Sequence, residues 1–547
     1  MTYSISTVHT RVWRGLSIYI LISATALAQS TNTDLPQFNE VRAKYGLMGR
    51  GQSVAVIDSG IAYDHQAFGG GIGPQFRVVA GYDFTGSGDA DPYDESGPLG
   101  GHGTGVASVV AGAVQQADLV GLRVFNDDGT GYLAWVEQAL RWVHDNRNSL
   151  ASPITAVNLS IGVAGNSSTS LTGSVIEDEL AQLVSDGIFI SASAGNDFTK
   201  YGTPGLAYPA SSPQVVAAMC TNYDGKELSY YSQRLSRAIA APGRLLTVAV
   251  PDYLGDNNGV YDDYALSSGT DLSAPFLASA SVLVREMMEF NGTTSITQQM
   301  IYNHLMSSAD NIIDVATNQT YKGVNLMNAL DTLAPADDFG STLATAELLG
   351  TIIGSSARNG TLGTLQDVDF FTFTAGQTGN LRLQTSATHY LDPTWTVYNS
   401  SGTPITTRTS SDFSFAVQSG LRYSIALSTN QGIGHFSANL TLDSGASILP
   451  GDYNGNGTVD AADYTIWQSS LGSTTDFRAD GNSDGVIDAA DYAFWKQRFG
   501  MTRTSGMASL SVPEPGSAAL LTSIVVYAII DMRRHARRSS DWVGRNA

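Results

Sequence analysis

From residue 35 to about residue 333, short apolar runs alternate with stretches of helical periodicity. Ser53-Val54-Ala55-Val56-Ile57, Ala156-Val157-Asn158-Leu159-Ser160 and Gly187 to Ala192 have strand length and little polar interruption, the pattern of strands covered on both faces. Val106 to Ala113 reads as a small-residue helix, and Tyr132 to His144 as an amphipathic helix with a Trp135/Trp142 face. This alternation predicts an α/β domain, a parallel sheet with helices on both faces. From about Ala336 to Asp443 the helical period disappears. Thr, Ser and aromatic residues alternate instead, as in Phe370-Phe371-Thr372-Phe373 and Leu381-Arg382-Leu383, which predicts a β-sandwich. From Gly451 to Gly500 the chain repeats itself at an offset of 28 residues (480 − 452): Asp452 matches Asp480, Tyr464 matches Tyr492, Trp467 matches Trp495 and Gly472 matches Gly500.

The 547 residues leave room for about three or four domains. The 50 acidic and 29 basic side chains give a net charge of −21, which argues against nucleic acid as a partner, since phosphate binding is built from Lys and Arg clusters. A hydrophobic fraction of 42% is ample for a core and excludes global disorder. The single cysteine, Cys220, excludes an intrachain disulfide framework and reads as a small buried hydrophobe beside the apolar run Val215 to Met219. Acidity without disulfides points to Ca2+ as a staple.

Both ends read as addresses. Arg11 and Arg14, the apolar stretch Leu16 to Leu27 and the small residues Ala26-Leu27-Ala28 predict a signal peptide over 1–28. At the other end, Val512-Pro513-Glu514-Pro515 precedes an apolar stretch from Gly516 to Ile530 and then Arg533, Arg534, Arg537 and Arg538. A short membrane helix with cytoplasmic arginines fits the positive-inside rule. The segment 512–538 resembles a PEP-CTERM sorting signal. The resemblance implies export, processing near the Pro-Glu-Pro, and delivery to the cell surface, outer membrane or extracellular matrix of a bacterium, with membrane contact through this helix alone. A plain C-terminal anchor is the alternative; either places the bulk of the chain outside the cytoplasm.

Three motifs mark the first domain: Asp58-Ser59-Gly60 after a strand, Gly101-His102-Gly103-Thr104-Gly105 opening a helix, and Gly269-Thr270-Asp271-Leu272-Ser273-Ala274-Pro275 opening another. Together with Asn158-Leu159-Ser160-Ile161-Gly162, Ala194-Gly195-Asn196, Tyr208-Pro209-Ala210 and Ala241-Pro242-Gly243, this region, within 29–335, resembles the subtilisin-like serine proteases. The resemblance implies that Asp58 orients His102, that His102 serves as general base and then acid, that Asn196 donates to the oxyanion, and that the segment around Ser160 holds an extended peptide by backbone pairing.

One position departs. The family motif carries the nucleophilic serine where this chain has Asp271. A carboxylate has no hydroxyl proton for His102 to remove and is a poor nucleophile toward an amide. At a helix N-terminus its charge is favoured, and protonated His102 is its expected partner. Ser273 would project about 200° away from it on a helix. Two readings follow: a pseudoprotease that keeps a peptide-binding cleft, or an active endopeptidase with an unorthodox nucleophile among Ser267, Ser268 and Ser273.

Two further modules are expected. Asp337-Asp338-Phe339, Asp367-Val368-Asp369-Phe370-Phe371, Gly379 and Tyr423 make 336–445 resemble the bacterial pre-peptidase C-terminal domain; a generic β-sandwich spacer is the alternative. Asp367 and Asp369 could be calcium ligands or corner residues. In the repeat, Asp452, Asn454, Asn456, Thr458, Asp460 and Asp463 fall at the ligand spacing of an EF-hand-type loop, Thr458 through its backbone carbonyl. Asp480, Asn482, Asp484, Val486, Asp488 and Asp491 repeat the pattern, with Val486 in the carbonyl role. With Asp at the twelfth position and no preceding helix, 451–500 resembles a dockerin type I pair, which implies calcium-dependent folding and a cohesin-like partner. The aromatic stripe Tyr464, Trp467, Tyr492 and Trp495 is expected to form the module's own core. Asp252, Asp256, Asp262 and Asp263 read as a solvated acidic loop.

Overall fold

The computed structural model describes residues 4–5, 35–443 apart from 87–88 and 223, and 449–502 apart from 455, 474–477, 480 and 482–485. The expected leader, beyond Ser4–Ile5, and the expected sorting signal lie outside the described residues. No described helix is long and apolar enough to cross a membrane. The chain divides into two compact units, one ending at Asp443 and one beginning at Ser444.

The first unit is built on a nine-stranded sheet among the described residues. Its elements in chain order are α1 (Pro36–Tyr45), β1 (Ser53–Asp58), β2 (Val78–Asp83), α2 (His102–Ala113), β3 (Asp118–Arg123), α3 (Leu133–Asn146), β4 (Ile154–Leu159), α4 (Glu177–Ser185), β5 (Phe189–Ser193), β6 (Val216–Thr221), β7 (Ile239–Pro242), α5 (Thr270–Phe290), α6 (Gln298–Ser308), β8 (Asp310–Asp314), β9 (Gln319–Gly323) and α7 (Leu326–Asp331). The strand order is β8-β9-β7-β6-β5-β4-β1-β3-β2. Every pairing is parallel except the β8–β9 hairpin at one edge.

Side-chain alternation along the strands sends residues to opposite faces. Val54, Val56, Leu119, Ala156, Phe189, Val216 and Ile239 join α2 and α5 in one core. Ala55, Ile57, Val120, Leu122, Val157, Ile190 and Ala217 join α3 and α4 in the other, with Trp135 and Trp142 at its margin. Apolar positions on both faces are what the continuous runs in the sequence required. Helix α5 is buried along its whole 21 residues except Glu289, so it is apolar or small nearly all round. Cys220 is buried in β6, as the sequence indicated.

A β-sandwich completes this unit: β10 (Glu347–Ile352), β11 (Ser355–Leu362), β12 (Asp369–Ala375), β13 (Gly379–Ala387), β14 (Pro393–Tyr398), β15 (Pro404–Arg408), β16 (Asp412–Val417), β17 (Arg422–Thr429) and β18 (Gly434–Leu442). One sheet runs β10-β12-β17-β14-β15 and the other β11-β18-β13-β16. Trp395, Phe371, Phe373, Leu381 and Leu440 fill the space between them. The sandwich packs on the α/β layers directly. His435 stacks on Phe290 with centroids 4.9 Å apart, and its Nε2 donates to the Phe290 carbonyl at 3.0 Å. Leu365 N donates to Lys44 O at 2.8 Å, and Ile433 joins the core of α2 and α5.

The second unit, as far as described, contains α8 (Ala461–Ser470) and α9 (Ala489–Lys496), each following one copy of the repeat.

Candidate active site

Asp58 is the last residue of β1 and His102 the first of α2. Asn196 follows β5, and Asp271 stands in the first turn of α5. The site therefore lies at the carboxyl ends of β1, β4 and β5, where β1 separates strands that continue in opposite directions across the sheet; such switch points open a crevice. Gly103 permits this approach, since a Cβ there would overlap the Gly60 carbonyl oxygen and lie 3.1 Å from Asp58 Cβ.

The four residues converge. His102 Nδ1 donates to Asp58 Oδ1 at 2.6 Å, and on the opposite edge of the ring Nε2 lies 3.1 Å from Asp271 Oδ2. The carboxylates sit on opposite sides of the imidazole, so these three side chains do not converge on one metal ion. Burial works against charge on the ring, but the Asp58 charge and the hydrogen bonds from both carboxylates outweigh it and raise His102 well above its ordinary 6.5. The ring is clasped between two carboxylates, which favour its protonated form.

A polar layer behind Asp58 fixes it. Ser59 N donates to Asp58 Oδ1 at 2.7 Å, and Ser59 Oγ donates to Asp94 Oδ1 at 3.0 Å. Thr104 gives Asp94 Oδ2 both its N–H at 2.9 Å and its hydroxyl at 2.6 Å. Burial pushes Asp94 up to about 6 against these bonds. Asp94 stands in no motif, because its partners lie on the turn after β1 and in the first turn of α2.

Asp271 is held from its main chain as well. Pro275 lies inside α5 and cannot donate back to the carbonyl four residues earlier. That carbonyl belongs to Asp271, and Ser160 Oγ donates to it at 2.6 Å, itself oriented by Asn158 Nδ2 at 2.9 Å. Ser191 Oγ ties the Ala274 carbonyl at 2.6 Å, and Thr270 Oγ1 accepts from Gly195 N at 3.1 Å. Asn196 Oδ1 accepts from Thr270 N at 3.0 Å, which ties its side chain to the residue before Asp271. Ser273 is buried and donates to the Ala241 carbonyl at 3.0 Å, away from His102. Ser268 Oγ accepts from Leu245 N at 2.8 Å.

The subtilase family model matches residues 49–330, just over half of the 547 residues. The chain belongs to the subtilase family. A second model, the dockerin type I domain, matches residues 450–500. Subtilisin E of Bacillus subtilis is 27% identical over 248 residues, covering 44% of this chain and 56% of its own length. Alkaline elastase YaB of Bacillus sp. is 27% identical over 293 residues, covering 52% of this chain and 65% of its own length. A crystal structure of a cold-adapted subtilisin-like serine proteinase aligns with a TM-score of 0.40 at 24% identity, over 51% of this chain and 90% of that one. The parallel sheet flanked by helices is the α/β architecture that the motifs implied.

In the dockerin domain, the first loop is described almost in full. Asp452 Oδ1 accepts from Asn456 N at 3.0 Å and its Oδ2 from Gly457 N at 2.7 Å. Gly457, at the sharp sixth position, has φ +88°, which a side chain would resist. Asp463 accepts from Asn454 N at 2.9 Å and from Asp460 N at 2.8 Å. Asn454 and Asn456 turn their side-chain oxygens back on the loop, and Asp460 caps α8. Asp452 and Asp463 are 3% and 0% exposed, with no ion pair among the described residues. Two buried carboxylates in an all-oxygen loop fit Ca2+, which would supply the missing positive charge.

Of the second loop, Val486, Asp488 and Asp491 are described; Asp480, Asn482 and Asp484 lie outside the described residues. Asp491 is buried, and its Oδ2 accepts from Asp488 N at 2.8 Å, as in the first copy. The stripe joins the two copies, with Trp495 buried and Tyr464, Trp467 and Tyr492 half-buried. Tyr464 meets Trp495 at 5.5 Å and Trp467 meets Tyr492 at 5.1 Å, while each Trp Nε1 donates to the other copy's ninth-position carbonyl, Asp488 or Asp460.

Proposed function

We propose that this chain is an exported subtilase whose cleft holds extended peptide without cutting it. The observation that carries the reading is the contact of 3.1 Å between His102 Nε2 and Asp271 Oδ2. In an active site of this family the base must be a neutral imidazole facing a hydroxyl. Here the Nε2 edge of the ring is closed by a carboxylate, which favours the protonated ring over the free base. The fixed negative charge of Asp271, beside the Asn196 amide, also opposes an incoming oxyanion. Ser273 does not compensate, since its hydroxyl is spent on the Ala241 carbonyl, and Ser268 Oγ is held by Leu245 N.

The peptide-holding part rests on what the chain keeps. Ser160 to Gly162 follow β4 beside Asp271, and Asp58, His102 and Asn196 hold an arrangement suited to acyl transfer apart from the nucleophile. The leader-like 1–28 and the sorting-like 512–538 support export to the cell surface, outer membrane or extracellular matrix. The dockerin domain supports a calcium-dependent role for the tail, with a cohesin-like protein as the partner class.

The test is hydrolysis of casein and short peptides by the purified chain in calcium, beside Asp271→Ser and His102→Ala. The natural chain should be inactive and Asp271→Ser should cut. Cleavage by the natural chain that disappears in His102→Ala would overturn the reading.

A further inference from the structure

A second acidic centre lies far from the triad in sequence, where the chain passes from the α/β layers into the sandwich. Asp337, Asp338 and Asp369 each direct a carboxylate oxygen to one place, those atoms lying within 4.8 Å of one another. Asp369 opens β12 and is 0% exposed, and neither of its oxygens accepts a hydrogen bond. Asp367 adjoins them. Its Oδ2 accepts from Gly363 N at 2.8 Å, and its Oδ1 is buried without a donor. None of the four is in an ion pair among the described residues.

Packing fixes the arrangement independently. Phe339, the next residue after Asp338, lies edge-on to Phe371 at 4.8 Å, and Phe370 N donates to the Gly340 carbonyl at 3.1 Å. The linker is thereby pinned against β12 with its two carboxylates turned toward Asp369.

A fully buried carboxylate with no donor and three acidic neighbours is costly unless a positive charge joins it. Burial first, then Asp367, Asp338 and Asp337, push Asp369 up to about 8, and Asp367 is pushed up to about 6. The donors are all hard oxygens with no imidazole or thiolate, the chemistry that selects Ca2+ over zinc or copper. From this juxtaposition we propose that Asp337, Asp338 and Asp369, with Asp367 adjacent, bind one calcium ion that staples the linker to strand β12 of the sandwich. The site is separate from the loops of the dockerin domain and from the triad.

The test counts calcium bound per full-length chain after equilibrium dialysis and follows thermal unfolding with calcium, magnesium or chelator. Asp369→Asn should bind one ion fewer than the natural chain. In chelator it should unfold at a higher temperature than the natural chain, because it lacks the unpaired charge. In calcium the order should reverse. If Asp369→Asn does not fold, the exposed ligand change Asp337→Asn should weaken the same site by at least about 10–100-fold, the cost of losing even an outer-shell partner. An unchanged ion count in Asp369→Asn, or unchanged affinity in Asp337→Asn, would overturn the proposal. Equal stabilisation by magnesium would overturn the assignment to calcium.

Discussion

Ser160 Oγ donates to the main-chain carbonyl of Asp271 at 2.6 Å and so replaces the bond that Pro275 cannot make. The same serine lies at the exit of β4, where the substrate-holding segment of the family begins. One hydroxyl therefore registers the exit of β4 against the helix that presents Asp271. Ser160→Ala should leave a buried carbonyl unsatisfied and lower stability by about 1–3 kcal/mol. Urea denaturation checks this; a loss under 0.5 kcal/mol would mean that the carbonyl finds another donor.

The clasp around His102 has a pH signature. Its folded pKa is raised, so the stability it contributes is complete below the unfolded value of about 6.5 and is lost as pH rises through the folded value. Melting temperature followed from neutral into alkaline pH should fall more for the natural chain than for Asp271→Asn. Parallel curves would mean that the second carboxylate does not hold the proton.

In the Asp271→Ser background, Asn196 should regain an energetic role. Asn196→Ala added to it should lower turnover by about 10²–10³-fold with little change in KM. An effect on KM alone would place the amide on the ground state rather than on the oxyanion.

Arg234 and Asp314 form a buried ion pair at 2.7 Å, with the guanidinium 3.6 Å above the Phe198 ring. Gln233 N, next door, donates to the Gly195 carbonyl at 2.8 Å, so the edge hairpin β8–β9 supports the Asn196 loop. Asp314→Ala should cost about 3–5 kcal/mol by stranding the arginine. Unfolding midpoints measure it directly; a change near zero would show that water reaches the guanidinium.

Removing calcium should unfold the dockerin domain first. With chelator, tryptophan emission from Trp467 and Trp495 should shift toward that of exposed indole, because the two loops that hold α8 and α9 lose their charge balance. Unchanged emission would mean that the aromatic core suffices without the ion.

Much of this was legible in the sequence, and for local reasons. Runs such as Val54 to Ile57 had to be doubly covered strands, and the period-two pattern of Phe370 to Phe373 had to be a sandwich strand. The triad positions were legible because each sits in a short motif at an element end. What escaped notice depends on long-range partners. Asp94 reaches Thr104 and Ser59 from a separate loop, and Ser160 meets Asp271 across 111 positions. The β8–β9 edge hairpin has a weak apolar alternation, because its inward positions hold Asp314 and Gly323 beside Ile312 and Tyr321. Asp369 was visible as an acidic residue, but its complete burial was not.

Helix α5 begins beside His102 and ends at Phe290, which His435 of the sandwich covers. Its 21 residues span roughly 30 Å, so one rigid rod joins the cleft to the sandwich. The boundary between the two is consequently no cutting line. A fragment ending before the sandwich would open the foot of that rod to water, stripping Phe290 and the neighbours of Ile433. The sandwich is thus a fitted cover rather than an interchangeable cassette, and the subtilase domain is best handled with its lid on.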